Sequence, residues 1–391
     1  MKIFSLFFHF SLLLGITASN AQDFLPGNTY FSQDQYIEYQ VGNLPIILSA
    51  PHGGLLKPLS LPDRNCNNCS YVADGNTQLL AREIAHFIEL KTACKPHLII
   101  NHLHRIKLDA NRNIIEATDS NSVVEPAWNS FHEFIDTAKQ QITNKFLKGL
   151  FLDIHGHGHS IQRLELGYLL TNSELNLSDS TLDANYATET SIRNLAQENL
   201  GNLSFSELLR GKESFGTNIE DKGYSAVPSQ NDPFPDNIEP YFSGGYNTFR
   251  HGSYNSGSID AIQIECNSEV RFDSVSRKEF ADSLASTIVD FISAHYLSSL
   301  PESWCSSINT VKNSTSALKV FPNPFSWTIN ISIANNNIPI DIKIFNASGQ
   351  LVFNDGNFND EYIDLSHLAP GFYFMHVASN TYHKIIPLIK I

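Results

Sequence analysis

Basic residues and cysteine are scarce in this chain. Lysine and arginine number 26 against 40 aspartates and glutamates, which gives a net charge of -14. A nucleic-acid partner calls for a basic face that neutralises phosphates, so this charge argues against one. Five cysteines are too few and too scattered for a fold built on disulfides. Cys66 and Cys69 favour a local disulfide, because a zinc ribbon would need a second pair at similar spacing.

Long apolar runs are also absent, except at the N-terminus. Lys2 precedes an apolar stretch over residues 3–16, and small residues follow at Ser19 and Ala21, which is the pattern of an export signal. A membrane anchor is the weaker interpretation, because the stretch is shorter than the roughly 20 residues of a spanning helix. We expect a signal peptide over 1–21, no membrane span after its cleavage, and a protein that is secreted or held at the cell surface after passing through the periplasm.

The remaining chain is longer than the roughly 100–200 residues expected of one domain. After Trp304 a stretch rich in Ser, Thr and Asn is typical of a linker. Short alternating runs between Asn, Gly and Pro turns then describe a small β-sandwich. We expect a large domain over 22–304, a linker over 305–319 and a small β-sandwich over 320–391.

Apolar runs and helical patterns alternate through the large domain. The runs that read as short strands cover 44–50, 97–103, 149–155 and 258–266. Apolar residues at three- or four-residue spacing predict helices over 80–88, 128–142 and 280–291. Strands buried on both faces that alternate with helices predict an α/β fold with a largely parallel sheet. Such sheets bind ligands at the carboxyl ends of their strands.

Histidines stand at the carboxyl ends of two predicted strands. His52 follows the first strand in "SAPHGG", and His155 ends the third in "GLFLDIH". A catalytic zinc ion takes imidazole nitrogens readily and usually has three protein ligands, so we expect both histidines to bind zinc. Asp74, in the loop before the first long helix, is the predicted third ligand. Glu83, inside that helix, is its competitor.

Each of these residues has a plainer interpretation. His52 and His155 would otherwise be hydrogen-bonded loop histidines, and Asp74 an ordinary carboxylate at the start of a helix. His157 and His159 follow His155 at alternate positions. They are interpreted as pocket lining, as donors to the metal ligands or as solvated residues. A zinc site made of all three would leave His52 unexplained.

Polar side chains also follow the second strand and end the last one. "LDANR" brings Asp109, Asn111 and Arg112 to the same sheet edge. Arg112 would either polarise a carbonyl group, and so stabilise its oxygen as it gains charge, or clamp a carboxylate, and Asn111 offers a donor and an acceptor to the substrate. Asp109 either orients its neighbours or pairs with Arg112. Glu265, in "IQIEC", is the predicted base that deprotonates water, unless it is the buried partner of Arg271.

These motifs occur in the order found in a known family. "SAPHGG", "DANR", "DIH" and "FSGGYNTFRHGS" followed by "IDAIQIEC" resemble N-formylglutamate amidohydrolases, which are relatives of zinc carboxypeptidases and aspartoacylases. The resemblance implies a phosphorylase/hydrolase-like α/β fold with one Zn²⁺. By position it implies His155 as a metal ligand, Asn111 and Arg112 as substrate contacts and Glu265 as the catalytic carboxylate. Arg250 lies in the segment that resembles the substrate-facing part and would grip a substrate carboxylate.

The chain departs from this pattern at one metal ligand. The relatives' His-x-x-Glu turn reads His52, Gly53, Gly54 and Leu55 here, so the glutamate is absent. Asp74 is therefore assigned as the third ligand because the site needs one and the glutamate of the relatives is absent.

The C-terminal segment resembles a second family. "VFPNPF", "IFNASGQLV", "LSHLAPGFYFMHV" and the final "HKIIPLIKI" resemble the C-terminal sorting domain of the type IX secretion system of Bacteroidetes. The resemblance implies the type IX secretion machinery as a partner. A carbohydrate-binding or adhesive sandwich is the alternative.

The sequence therefore predicts an exported zinc-dependent hydrolase. It would cleave the amide bond of an N-acyl amino acid, N-formyl derivatives included, or of a small peptide-like substrate. The alternatives are a carboxypeptidase-like or cell-wall peptide hydrolase, and a secreted binding protein without catalysis, which the absent glutamate motivates.

Overall fold

The structure is a computed structural model, and the residues that it describes are 24–66, 69–236, 238–297, 319–332, 340–346, 350–358, 362–379 and 382–390. The chain divides into two compact units, Met1–Cys305 and Ser306–Ile391. The signal peptide predicted over 1–21 and most of the linker predicted over 305–319 lie outside the described residues. The domain bounds inferred from the sequence stay predictions.

The first unit is built on an eight-stranded mixed sheet. In chain order its strands are β1 (Thr29–Phe31), β2 (Ile37–Gln40), β3 (Ile46–Ala50), β4 (His97–Asn101), β5 (Gly149–Gly156), β6 (Leu164–Gly167), β7 (Ala226–Val227) and β8 (Ile259–Cys266). Across the sheet they lie in the order β1-β2-β4-β3-β5-β8-β6-β7. Strands β4, β3, β5 and β8 are parallel, and β6 runs antiparallel to β8. The carboxyl ends of β3, β5 and β8 therefore meet at one edge.

Ten α-helices are present in the described part of this unit. They are α1 (Thr77–Thr92), α2 (Ile114–Thr118), α3 (Glu125–Phe146), α4 (Asn172–Leu175), α5 (Asp179–Asn185), α6 (Arg193–Gln197), α7 (Phe205–Arg210), α8 (Phe215–Glu220), α9 (Tyr246–His251) and α10 (Ser274–His295). The helices predicted over 80–88, 128–142 and 280–291 correspond to α1, α3 and α10.

Helices cover both faces of the central strands. Ile46 and Leu48 of β3 pack in one apolar cluster with residues of α1 and α10, whereas Ile47 packs in a second cluster with residues of α3. Successive side chains of a strand point to opposite faces, so a strand buried on both sides must be apolar throughout. This arrangement confirms the predicted α/β class and its largely parallel sheet.

The second unit consists of two antiparallel sheets. Its strands are β9 (Lys319–Phe321), β10 (Thr328–Ser332), β11 (Ile340–Asn346), β12 (Leu351–Phe358), β13 (Tyr362–Asp364), β14 (Gly371–Ser379) and β15 (Tyr382–Lys390). The orders are β13-β10-β9 and β12-β11-β14-β15. Ile329 of the first sheet shares a buried cluster with Ile342 and Met375 of the second. The predicted small β-sandwich is thus confirmed.

No helix in the described ranges combines the length and the apolar character that a membrane crossing demands.

Candidate functional site

Three buried side chains meet at the carboxyl edge of the sheet. His52 follows β3, His155 lies near the end of β5, and Asp74 lies just before α1. The Asp74 N–H donates to the carbonyl oxygen of His52 at 3.0 Å, which ties the loop before α1 to the end of β3. Gly54 lies against the carbonyl groups of His102 and Leu103, where any Cβ atom would collide with the backbone. Glycine at position 54 thus permits the segment after β3 to lie against the segment after β4.

The ligand atoms of this group converge. Nδ1 of His52 lies 3.4 Å from Oδ2 of Asp74, and Nδ1 of His155 lies 3.2 Å from the same oxygen. One ligand atom from each residue lies within 4.8 Å of the other two. The structure therefore brings together the three residues that the sequence assigned to a metal, and His52, Asp74 and His155 form a candidate metal-binding group.

A separate carboxylate orients each imidazole. Nε2 of His52 lies 2.6 Å from Oδ1 of Asp109, and Nε2 of His155 lies 2.7 Å from Oδ2 of Asp153. Asp153 also accepts hydrogen bonds from Ser49 and Asn247. A carboxylate on one ring nitrogen fixes the proton there and leaves the other nitrogen free to bind a metal. In both histidines the other nitrogen is Nδ1, which faces Asp74, and Nδ1 of His155 lies within hydrogen-bond distance of Oδ2 of Asp74 at 3.2 Å.

The group fits a metal cation on two grounds. Nδ1 of His52 is buried and has no hydrogen-bond partner among the described residues, as expected for a nitrogen whose partner is a metal ion. Two imidazole nitrogens and one carboxylate oxygen also form a donor set that zinc accepts, with a fourth position for water.

The charges of the group stabilise one another: the carboxylates are held ionised, and the imidazole of His155 is held protonated. Burial raises the pKa of Asp74, but the nearby His52 and His155 outweigh it and hold that pKa well below its usual value. Burial lowers the pKa of His155, but the Asp153 carboxylate outweighs it and raises that pKa well above the usual value. Burial likewise opposes ionisation of Asp109, whereas His52, Arg105 and Arg64 keep its pKa low. The carboxylates around the two imidazoles thus stay ionised and attract positive charge.

Glu265 lies one strand away from the metal-binding group. It pairs in register with His155 across β5 and β8, and its Oε1 accepts a hydrogen bond of 2.9 Å from Gln263. Burial raises the pKa of Glu265, and the positive charge of His155 opposes this increase. The alternative partner, Arg271, donates to backbone carbonyl oxygens instead, from Nε, Nη1 and Nη2. Glu265 is therefore placed where a base would act, and its role stays a prediction.

Asn111 belongs to the same network, whereas Arg112 lies at its border. Nδ2 of Asn111 lies 3.4 Å from Nε2 of His155, and its Oδ1 accepts a hydrogen bond of 2.7 Å from the N–H of Asn247. Arg112 is exposed, and its guanidinium donates to the carbonyl oxygen of Asn111 at 3.0 Å. Asn247, which also donates to Asp153, was missed in the sequence although it stands in the quoted segment "GGYNTFRHGS".

Arg250 pairs with a helix rather than with the metal-binding group. Its Nη2 lies 3.3 Å from Oδ2 of Asp136 on α3, and its guanidinium carbon lies 5.1 Å from the ring centroid of Trp128. The predicted contact of Arg250 with a substrate carboxylate therefore stays a prediction.

Arg105 is a site residue that the sequence reasoning missed. Its Nε lies 2.9 Å from Oδ2 of Asp109, and its Nη1 lies 3.7 Å from Oδ1 of Asp74. Arg64, which is buried, lies 3.6 Å from the same Asp109 oxygen. These pairs replace the Asp109–Arg112 pair considered above. The spacing of four residues between Arg105 and Asp109 was the available signal in the sequence. That spacing predicts an ion pair only where the backbone between the two residues forms a turn.

The competing metal ligands lie elsewhere. Glu83 pairs with Arg277 of α10 at 2.9 Å. His157 and His159 group with Glu165 rather than with His155. Among the described residues the three histidines at these alternate positions therefore do not form one metal site.

The loop between His52 and Asp74 carries the predicted disulfide, which joins Cys66 to Cys69. Leu55, Leu59 and Val72 of this loop are exposed. The loop thus places apolar surface on the outside of the unit.

Solved structures give two likenesses of low identity. A gene product of Agrobacterium tumefaciens is 14% identical over 66% of this chain and 95% of its own, with a TM-score of 0.40. The N-formylglutamate amidohydrolase of Ralstonia eutropha JMP134 is 12% identical over 63% of this chain and 94% of its own, with a TM-score of 0.37. At these scores neither likeness carries an argument about this chain. No curated protein matches the sequence significantly.

The C-terminal unit gives a direct family match. Residues 319–390 match the family described as secretion system C-terminal sorting domain. The match covers β9 to β15, the two sheets of the second unit. Such a domain marks a protein that is secreted or displayed at the cell surface. The C-terminal unit of this chain is therefore the type IX sorting domain that its sequence motifs predict.

Proposed function

We propose that the first unit is a zinc-dependent hydrolase that cleaves the amide bond of an N-acyl amino acid, N-formyl derivatives included, or of a small peptide-like substrate. One observation carries the proposal. His52 and His155 both turn Nδ1 toward Asp74, while each Nε2 is held by its own carboxylate. Imidazoles that ligate a metal are commonly fixed in this way, and an ordinary pair of loop histidines has no need of it.

The residues around the metal-binding group supply the remaining chemistry. Zinc held by His52, Asp74 and His155 would act as a Lewis acid and increase the acidity of water at the site. Glu265, buried beside His155, would take a proton from the attacking water and return it to the leaving amine. Arg112 would stabilise the oxygen that gains negative charge.

Substrate binding would involve residues on two segments. Asn111, which lies next to His155, would hold the substrate through its amide. Arg250 would hold a substrate carboxylate with two parallel hydrogen bonds, provided that it leaves Asp136.

The second unit supports an address outside the cytoplasm. A sorting domain of the type IX system is read by that secretion machinery, which we propose as the protein partner of the chain. The hydrolase would then act at the cell surface or in the medium, on substrates that reach it there.

The proposal is tested by a screen of N-formyl, N-acetyl and longer N-acyl amino acids against the zinc-loaded protein. We expect turnover of at least one acyl class, and loss of that turnover in Glu265→Gln with unchanged zinc content. Release of free C-terminal residues from peptides, without cleavage of N-acyl amino acids, would favour the carboxypeptidase-like alternative. Absence of both activities in zinc-loaded protein would contradict a hydrolase.

A further inference from the structure

The histidine–carboxylate pair of His159 and Glu165 lies outside the metal-binding group. Nδ1 of His159 lies 2.7 Å from Oε1 of Glu165, and the N–H of Phe242 donates to the other oxygen of Glu165 at 2.8 Å. The rings of His159 and Phe242 stack, with centroids 4.8 Å apart and an interplanar angle of 14°. The Glu165 side chain is 1% exposed and that of His159 is 22% exposed. The imidazole is therefore held on one face and one edge, yet water and small molecules reach it.

The sheet places this pair beside the proposed base. Glu165 of β6 is in register with Glu265 of β8, which is in register with His155 of β5. Residues directly opposite each other on neighbouring strands project from the same face of the sheet. Because strands are about 4.8 Å apart, Glu165 lies roughly 10 Å from His155 along the sheet edge. The pair therefore lies on the same row of side chains as Glu265 and His155.

The hydrogen bonds distinguish the pair from a second metal site. His157, His159 and Glu165 do have ligand atoms within 4.8 Å of one another. However, Nε2 of His157 contacts the carbonyl oxygen of Arg163 at 2.8 Å, and its Nδ1 accepts a hydrogen bond of 3.1 Å from the N–H of His159. Both oxygens of Glu165 are also engaged. His52, by contrast, keeps a buried nitrogen without a hydrogen-bond partner among the described residues.

A histidine bound to a carboxylate through Nδ1 presents Nε2 to its surroundings. The carboxylate fixes the orientation of the ring through Nδ1. The 2.7 Å contact with Glu165 therefore leaves Nε2 of His159 as the nitrogen through which the ring can exchange protons with a bound molecule. Glu165, which is buried and has its second oxygen bound to the Phe242 N–H, has no access to the substrate except through His159.

We propose that His159 is a further catalytic residue of this active site and that Glu165 is its positioning residue. The inference rests on the proposed hydrolase function and reassigns one of the two proton transfers given there to Glu265. Water forms the new C–O bond as it loses a proton to Glu265. The C–N bond then breaks as His159 donates its Nε2 proton to the leaving nitrogen. Glu265 releases its proton to solvent and His159 regains one from solvent, so both residues return to their starting state.

The first test replaces the imidazole. In His159→Asn we expect kcat to fall about 100-fold, the scale of a general acid, with little change in KM. The loss should be smaller for anilides with electron-poor rings, because their leaving nitrogen needs less protonation. A merely structural histidine would affect all leaving groups equally. His86, an exposed histidine of α1, provides the matched control His86→Asn, which should keep wild-type kcat.

The second test separates chemistry from folding. In His159→Gly, added imidazole should restore part of the lost kcat, because a diffusible ring then replaces the missing one. Glu165→Gln should lower kcat in the wild-type background and change it little in the His159→Asn background, since the two residues act as a unit. Zinc content should equal that of the wild type in every variant.

The outcomes separate this inference from the proposed function. If the wild-type protein cleaves none of the amides, the proposed hydrolase and this inference both fail. If the wild type is active and His159→Asn matches it on all leaving groups, only the inference fails. Two zinc ions in the wild type and one in His159→Asn would show a metal ligand and would overturn the acid–base role.

Discussion

The imidazole rings of His52 and His155 lie with their centroids 4.8 Å apart and their planes at 73°. The two residues come from different strands, and β3 and β5 are parallel neighbours. Each ring is held at Nε2 by a carboxylate, so both Nδ1 atoms face Asp74 in the protein as folded. The fold therefore holds both candidate donor atoms toward the same carboxylate.

The orienting carboxylates should control metal affinity. We expect Asp109→Asn and Asp153→Asn each to weaken zinc binding by about 10–100-fold, because the amide no longer fixes the imidazole proton as strongly. Competition with a fluorescent zinc chelator measures this change. Glu83→Gln is the control, since Glu83 pairs with Arg277 and should leave zinc affinity unchanged. If Asp109→Asn and Asp153→Asn bind zinc as tightly as the control, these two carboxylates do not orient the metal ligands.

The proposed base should be separable from the metal ligands. Glu265→Gln keeps the size of the side chain and its neighbour Gln263, but it cannot accept a proton from water. We expect kcat to fall by about 100-fold or more while one zinc ion per chain is retained. Steady-state kinetics together with metal analysis of the same sample provide the measurement. Undiminished turnover would assign the base to another residue.

Arg250 offers a prediction that distinguishes substrate binding from helix packing. A charge-assisted hydrogen bond contributes about 1.5–3 kcal/mol, so Arg250→Met should raise KM by about tenfold or more with little change in kcat. Asp136→Asn removes the partner of Arg250 on α3 but not the guanidinium, and it should not raise KM, because Arg250 leaves Asp136 when it binds the substrate. If the two variants show the same kinetics, Arg250 serves the packing of α3 instead.

Two buried histidines outside the metal-binding group should make the first unit sensitive to acid. Burial lowers the pKa of His251 to about 4, and burial together with Lys145 lowers the pKa of His97 to about 3. An unfolded histidine has a pKa of about 6.5, so the unfolded chain binds these protons first as pH falls. The stability that the neutral rings contribute is thus present above about pH 6.5 and is lost as pH falls toward 4.

The expected slope is about 1.4 kcal/mol per pH unit for each of these histidines. Urea unfolding at a series of pH values between 7 and 4 measures it. His251→Asn should reduce the slope by the contribution of one histidine, because an amide does not titrate. A slope unchanged by that replacement would show that His251 is not held neutral in the fold.

The sequence was most informative where function depends on strand ends. Alternating runs predicted β3, β5 and β8, and the parallel order then brought His52 and His155 to one edge. Asp74 was harder to predict, because its position depends on a backbone hydrogen bond to the His52 carbonyl, which no residue pattern encodes. Of the seven site residues predicted from the sequence, the variants above test Glu265 and Arg250 directly.

The residues that the sequence missed depend on the order of strands. Glu165 reaches the site because β6 returns antiparallel beside β8, and a motif search along the chain cannot see that pairing. Arg105 reaches Asp109 and Asp74 because the segment after β4 turns back toward β3. In both cases the contact is tertiary, so the residue type alone gave no reason to choose these positions.

Anomalous diffraction at the zinc absorption edge, from crystals of the purified protein, would locate a bound zinc ion. We expect one strong peak at about 2.0–2.2 Å from Nδ1 of His52, from Nδ1 of His155 and from a carboxylate oxygen of Asp74. The peak should vanish in His155→Asn crystals. A zinc-loaded protein without a peak at these three residues, or with its only peak elsewhere, would contradict the account.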